Sequence, residues 1–197
     1  MSKKNTILLT AALGAVVALA PVAANAATVM KIGFATINDG QHKSAKWIAK
    51  EVMKRTNGSI DVKVYPAAQL GKIPRQIEGV LFGTQEAFIS PPGFFKGLNP
   101  AFAAPDAPGL FASFAHQTKT MNHPSVRSKF LNLATAKGVT GLYISAAGAS
   151  ALAMRDPVRK LSDVKGKKIR VLASPIEVAI MRSLGAAGTP MAYSEVL

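Results

Sequence analysis

Residues 58–71 read GSIDVKVYPAAQLG. Ile60, Val62 and Val64 alternate with Asp61 and Lys63, which makes a short half-buried strand, and Pro66 ends its ladder because proline has no N–H to donate. Upstream, Ala45, Ile48, Ala49, Val52 and Met53 recur at helical spacing as far as Asn57-Gly58, whose glycine suits the left-handed position that closes a helix. Before that helix, Val29–Thr36 (VMKIGFAT) alternates as a strand, and the loop INDGQ joins the two. Downstream, Ile73, Ile77, Val80 and Leu81 share one helical face ending near Gly83, and the apolar run EAFIS then meets Pro91-Pro92-Gly93, where the chain must turn. Strand, helix, strand, helix, strand in this order predicts an α/β fold on a parallel sheet covered by helices.

Phe94–Phe114, rich in Pro, Phe, Gly and Ala, reads as irregular chain packed on the sheet or lining a cleft. A helix is expected over Ser125–Lys137, closing at Gly138, followed by a strand in VTGLYISAA (residues 139–147). Lys167–Val171 reads as a strand that leads into Ser174-Pro175-Ile176-Glu177. There Ser174 caps a helix, Pro175 fits its first turn and Glu177 completes a capping box. Ile176, Ala179, Ile180 and Leu184 form that helix's expected buried face, ahead of Gly185.

The first 26 residues have the order of an export signal: Lys3 and Lys4, an apolar stretch from Ile7 to Ala20, and small residues closing on Ala24-Asn25-Ala26. Pro21 breaks the stretch short of the roughly 18 residues a membrane span needs, so cleavage after Ala26 is expected. No cysteine is present, which removes disulfides, thiol catalysis, thiolate metal sites and a lipid anchor together. Losing Lys3 and Lys4 takes the net charge from +14 to +12. Such a balance draws anions in general, yet the basic residues are scattered singly apart from Lys165, Lys167, Lys168 and Arg170, with no aromatic interleaving, so no nucleic-acid partner is expected.

Enzyme chemistry has no motif behind it. The 3 histidines, His42, His116 and His123, lack an i, i+4 pair or acidic residues at ligand spacing, so no metal is expected. Neither GxxxxGK[ST] nor GxGxxG occurs, and no GxSxG elbow surrounds Ser145 or Ser150. No cofactor is expected either.

The segment GSIDVKVYPAAQLG resembles a hallmark of the substrate-binding proteins of TRAP transporters, the tripartite ATP-independent periplasmic carriers of the DctP type. Further segments resembling that family follow in order: the opening strand with His42 after it, EGVLFGTQEAF, PDAPGLF, DPVRKLSDVKGKKIRV and GTPMAYSEV. The resemblance runs from about Lys31 to the last residue. It implies a periplasmic-binding-protein-like fold of two lobes with parallel-rich sheets: a signal peptide at 1–26, a first lobe over 27–147, and the start of an incomplete second lobe over 148–197. It also implies a function without catalysis, the capture of a small organic acid in the periplasm for TRAP permease subunits in the membrane.

The resemblance places Arg170, in KKIRV, on the arginine that pairs with the ligand carboxylate. A guanidinium offers a charged fork of donors that matches two carboxylate oxygens, and the helix start at Ser174 adds N–H groups and a favourable dipole. Departures from the pattern matter as well. Ser150, in GASALAM, stands where many members carry a second arginine, and Ser90, Pro91 and Pro92 stand where some place an acidic or polar contact. The first departure argues against a second guanidinium clamp, and the second points to a ligand less polar than a sugar acid, or smaller. The chain stops at Leu197, before the segments with which members complete the second lobe, so a truncated and non-functional product is one alternative. A binding protein of an ABC importer is another, against which YPAAQLG argues.

Overall fold

The computed structural model describes residues 27–196 except Ala147 and Ala149. The export signal and its cleavage site lie outside the described residues. The first unit runs β1 (Thr28–Gly33), α1 (Gly40–Arg55), β2 (Ile60–Tyr65), α2 (Ile73–Leu81) and β3 (Ala87–Phe88). These strands form one parallel sheet, as the alternation of strands and helices along the chain predicts, and they stand in the order β2-β1-β3. β1 and β2 pair along their whole length, Thr28 with Ile60 through Gly33 with Tyr65. Ile32, Phe34 and Val62 of the sheet meet Ala45 of α1 in a buried core, flanked by Ile48, Ala49 and Val52.

Local chemistry sets the ends. Asp39 caps α1 by accepting from the His42 N–H at 3.0 Å. At the other end the Thr56 hydroxyl donates to the Val52 carbonyl, and both Asn57 and Gly58 take positive φ, so the turn expected at Gly58 begins one residue earlier. Met53, assigned to the buried face by spacing, is exposed. β1 stops at Gly33 instead of running to Thr36. Gln76 is wholly buried and Gln85 nearly so, and a Cβ on Gly33 would stand 2.0 Å from Gln76 Oε1. The two amides bind each other at 3.2 Å, Gln85 Nε2 also donates to the Ala87 carbonyl, and Gln76 Nε2 donates to the Gly71 carbonyl. This hydrogen-bonded polar pair locks α2 onto the ends of β1 and β3.

Beyond β3 the chain is less irregular than its composition suggests. Two 3₁₀ turns, Pro92–Gly97 and Pro100–Asp106, carry Phe95 and Phe102, which link Phe88 to Phe130 through ring centroids 5.5–5.9 Å apart. A helix unanticipated in the sequence, α3 (Phe114–Asn122), follows, with Ser113 as its cap. The single helix expected over 125–137 is broken into α4 (Pro124–Leu131) and a 3₁₀ turn at Thr135–Lys137, with Gly138 left-handed at its end as expected. The break falls at Asn132, whose side chain donates to the Ser128 carbonyl and accepts from Thr135, competing with the helical ladder. The strand expected over 139–147 does not form among the described residues. Gly141 donates instead to the Leu131 carbonyl, which ties the segment to α4 and away from β3.

The second unit is β4 (Lys168–Val171), α5 (Pro175–Ser183) and β5 (Ala187–Pro190), a parallel pair closed over Val171, Met181 and Ala186. The predicted capping box is absent. Ser174 occupies the cap without a side-chain bond, while Glu177 reaches past it to accept from the Leu172 N–H at 2.9 Å. The buried face centres on Met181, and Ala179 is exposed. We predict that Gly33→Ala destabilises the chain by about 1–3 kcal/mol through overpacking against Gln76; a denaturant titration with an unchanged midpoint would contradict this.

Candidate functional site

In a parallel sheet, ligands gather at the carboxyl ends of the strands where the connections diverge to opposite sides. In the order β2-β1-β3 that point lies between β1 and β3. Two hydroxyls just past those strand ends, Thr36 Oγ1 and Ser90 Oγ, are buried without a hydrogen-bond partner among the described residues. Neighbouring loops hold the crevice in shape. The Ala67 and Ala68 N–H groups donate to the Thr36 and Phe34 carbonyls, and both alanines take positive φ, which costs roughly 1–2 kcal/mol each. The hallmark PAAQ turn is therefore strained, and the two hydrogen bonds that join it to the loop after β1 hold it in that conformation.

On the second unit, Arg170 lies part-buried on β4. Its Nε and Nη2 both donate to the Met191 carbonyl just beyond β5, at 3.2 and 2.8 Å. Tyr193 offers its ring at 6.0 Å from the guanidinium carbon. One carbonyl thus engages the Nε edge of the fork, and the Nη1 end has no hydrogen-bond partner among the described residues. Ser174 lines an open pocket of about 360 Å³ with Val178, Arg182 and Pro190, and Arg170 is not on its walls.

The match to bacterial extracellular solute-binding protein, family 7 (DctP), covers residues 33–197. The chain belongs to that family. It is 33% identical to the 2,3-diketo-L-gulonate-binding periplasmic protein YiaO of Escherichia coli over 87% of this chain and 52% of that one. It is 31% identical to the C4-dicarboxylate-binding periplasmic protein DctP of Rhodobacter capsulatus, over 73% of this chain and 43% of that one. A TRAP periplasmic solute-binding protein from Xanthobacter autotrophicus, solved with bound β-D-galacturonate, superposes with a TM-score of 0.79 at 34% identity, covering 85% of this chain and 56% of that one. The chain spans about half the length of the curated relatives it matches.

In this DctP-family chain the five residues singled out from sequence do not meet in one pocket. Ser90 stands at the β3 end, Ser174 lines the α5 pocket, Arg170 turns toward Met191, Pro91 follows Ser90 into the 3₁₀ turn, and Ser150 is exposed. Thr36 was legible only as a polar residue closing an apolar run, a weak signal. Asp106 carried none. Its carboxylate packs against Gly93, and burial, followed by the charge of Glu177 at the start of α5, pushes its pKa above the usual value, opposed by the Gly93 N–H. A raised folded pKa means the folded chain holds this proton more tightly than the unfolded one. The resulting stability is full below the ordinary aspartate pKa and is lost as pH rises through the raised value. We predict that Asp106→Asn flattens the pH dependence of thermal unfolding between about pH 4 and neutrality and raises the midpoint at neutral pH; superimposable wild-type and variant profiles would contradict it.

Proposed function

We propose that this chain is an extracytoplasmic solute-binding protein that captures a small organic anion, a carboxylate, for a TRAP-type membrane transporter. The observation that carries the reading is the match over residues 33–197 together with the galacturonate-bound relative at 34% identity. Capture requires no bond to be made or broken, so the role assigned is binding and delivery, not catalysis. An export signal ending at Ala26 fits delivery to the periplasm. The ABC-importer alternative loses ground because TRAP proteins supply the ligand-bound structural neighbours.

In this reading residues 27–147 form the first lobe and 148–197 begin the second. Arg170 holds the ligand carboxylate. The Met191 carbonyl fixes the guanidinium by its Nε edge, which leaves the Nη1 end to bind an anion with charge-assisted hydrogen bonds. Ser174 contributes the α5 start, whose free hydroxyl and N–H groups favour negative charge. Ser90 and Pro91, with Thr36 beside them, form the facing wall at the ends of β1 and β3, and Ser150 lines the approach without a second positive charge.

The test is calorimetry on a two-lobed chimera, in which the segment following the matched half of the E. coli relative is fused after Leu197, titrated with D-galacturonate and small dicarboxylates. Arg170→Lys is expected to weaken carboxylate binding by about 1.5–3 kcal/mol, because an ammonium cannot span the Met191 carbonyl and the anion together. Unchanged affinity would remove Arg170 from the site.

A further inference from the structure

Along the sequence the lysines of α1 are spread singly, and the helix gathers them. Lys43, Lys46, Lys50 and Lys54 fall within an arc of about 80° at 3.6 residues per turn, opposite Ala45, Ile48, Ala49 and Val52, which pack on the sheet. All four lysines are exposed, and none has an ion-pair partner among the described residues. The nearby acids are committed elsewhere: Glu51, the one acid within α1, faces Arg55 at 3.4 Å, and Asp39 accepts from the His42 N–H as the cap. Exposed Trp47 and Met53 border the row on either side. Of the row, only Lys43 reaches the apolar groove of about 1160 Å³ that Phe88, Phe95 and Phe130 line.

This pattern works against the helix that carries it. Lys46, Lys50 and Lys54 repel one another at i, i+4 spacing, and Lys43 puts a positive charge in the first turn, where the helix dipole favours a negative one and no acid stands. An ordinary solvated face interleaves the two signs; this one is relieved only by an anion from outside. The chemistry of the row selects which anion. It is about 16 Å long at 1.5 Å per residue, lies on the convex side of the helix, and contains lysines alone, with no guanidinium fork to fix one carboxylate or phosphate in a set geometry. Flexible ammonium groups on a convex row suit a layer of mobile anionic headgroups, where each charge finds its own partner. We propose that the outer face of α1 docks on a membrane surface rich in anionic phospholipid. The apolar face of α1 is committed to the core, so the contact is electrostatic, peripheral and screened by salt. The inference goes beyond solute capture and does not involve Arg170, so the failure of either leaves the other standing.

Cosedimentation with vesicles tests the proposal, on the chain from Ala27 onward so that the apolar stretch before it takes no part. Vesicles of mixed phosphatidylglycerol and phosphatidylcholine are expected to bind the chain at low salt and release it as the salt nears ~0.5 M, and vesicles of phosphatidylcholine alone are expected not to bind it. Lys46→Gln, Lys50→Gln and Lys54→Gln together keep the helix propensity and are expected to lower the partition coefficient about a hundredfold. The same three positions changed to arginine are expected to retain binding. Lys165→Gln, Lys167→Gln and Lys168→Gln together remove as much charge from β4 and the turn before it, and are expected to lower binding severalfold at most. The proposal is overturned by no binding to the anionic vesicles, or by equal binding to neutral ones, which assigns the contact to the apolar groove. It is also overturned by equal losses in the two glutamine variants, which assigns it to net charge, or by binding to polyglutamate that vesicles do not displace, which assigns the row to an acidic polypeptide.

Discussion

The contact of two buried glutamines with a glycine holds the first unit in register. Gln76 and Gln85 occupy the space a side chain at residue 33 would need, and their bonds to each other and to the Gly71 and Ala87 carbonyls fix α2, the β2–α2 loop and β3. A buried amide pair left half-satisfied is costly, so the arrangement tolerates little displacement. The ends of β1 and β3 are thereby held side by side, which brings Thr36 and Ser90 to the point where the sheet's connections diverge.

The second unit solves a different problem. A guanidinium on a short strand is mobile unless something holds it, and here the Met191 carbonyl and the Tyr193 ring do so. Tyr193 belongs to a short turn whose Glu195 is drawn to Lys72 at the start of α2, an ion pair that reaches from the second unit to the first. Because both partners are well exposed, this pair contributes little to stability. Its interest is positional: the element that holds Arg170 is tied to the element locked at Gly33.

Much of this architecture was legible in the sequence, and the reason is burial. The strands of the first sheet follow from Ile60, Val62 and Val64 and from the alternation before them, since one face of each must be apolar, whereas their order β2-β1-β3 has no signal in the pattern. Arg170 was legible only through resemblance, because a lone arginine among lysines has no pattern of its own. The misreadings came where a side chain outcompeted the backbone. Asn132 broke the helix expected over 125–137, and Glu177 bypassed Ser174 to serve Leu172. The segment expected as a strand over 139–147 has a strand's pattern but no strand partner among the described residues, and a pattern states what a segment can pair with, not whether a partner is present. Gln76 and Gln85 were invisible, since a polar residue at a core position reads as surface until its partners are known.

The role proposed for Arg170, anchored through its Nε edge, is to present its free end to a carboxylate. A crystal structure of the two-lobed chimera soaked with D-galacturonate tests it most directly. The account predicts carboxylate oxygens within hydrogen-bond distance of the Arg170 Nη atoms, with the Met191 contact retained. A carboxylate held elsewhere, with Arg170 still facing only Met191 and Tyr193, would contradict it.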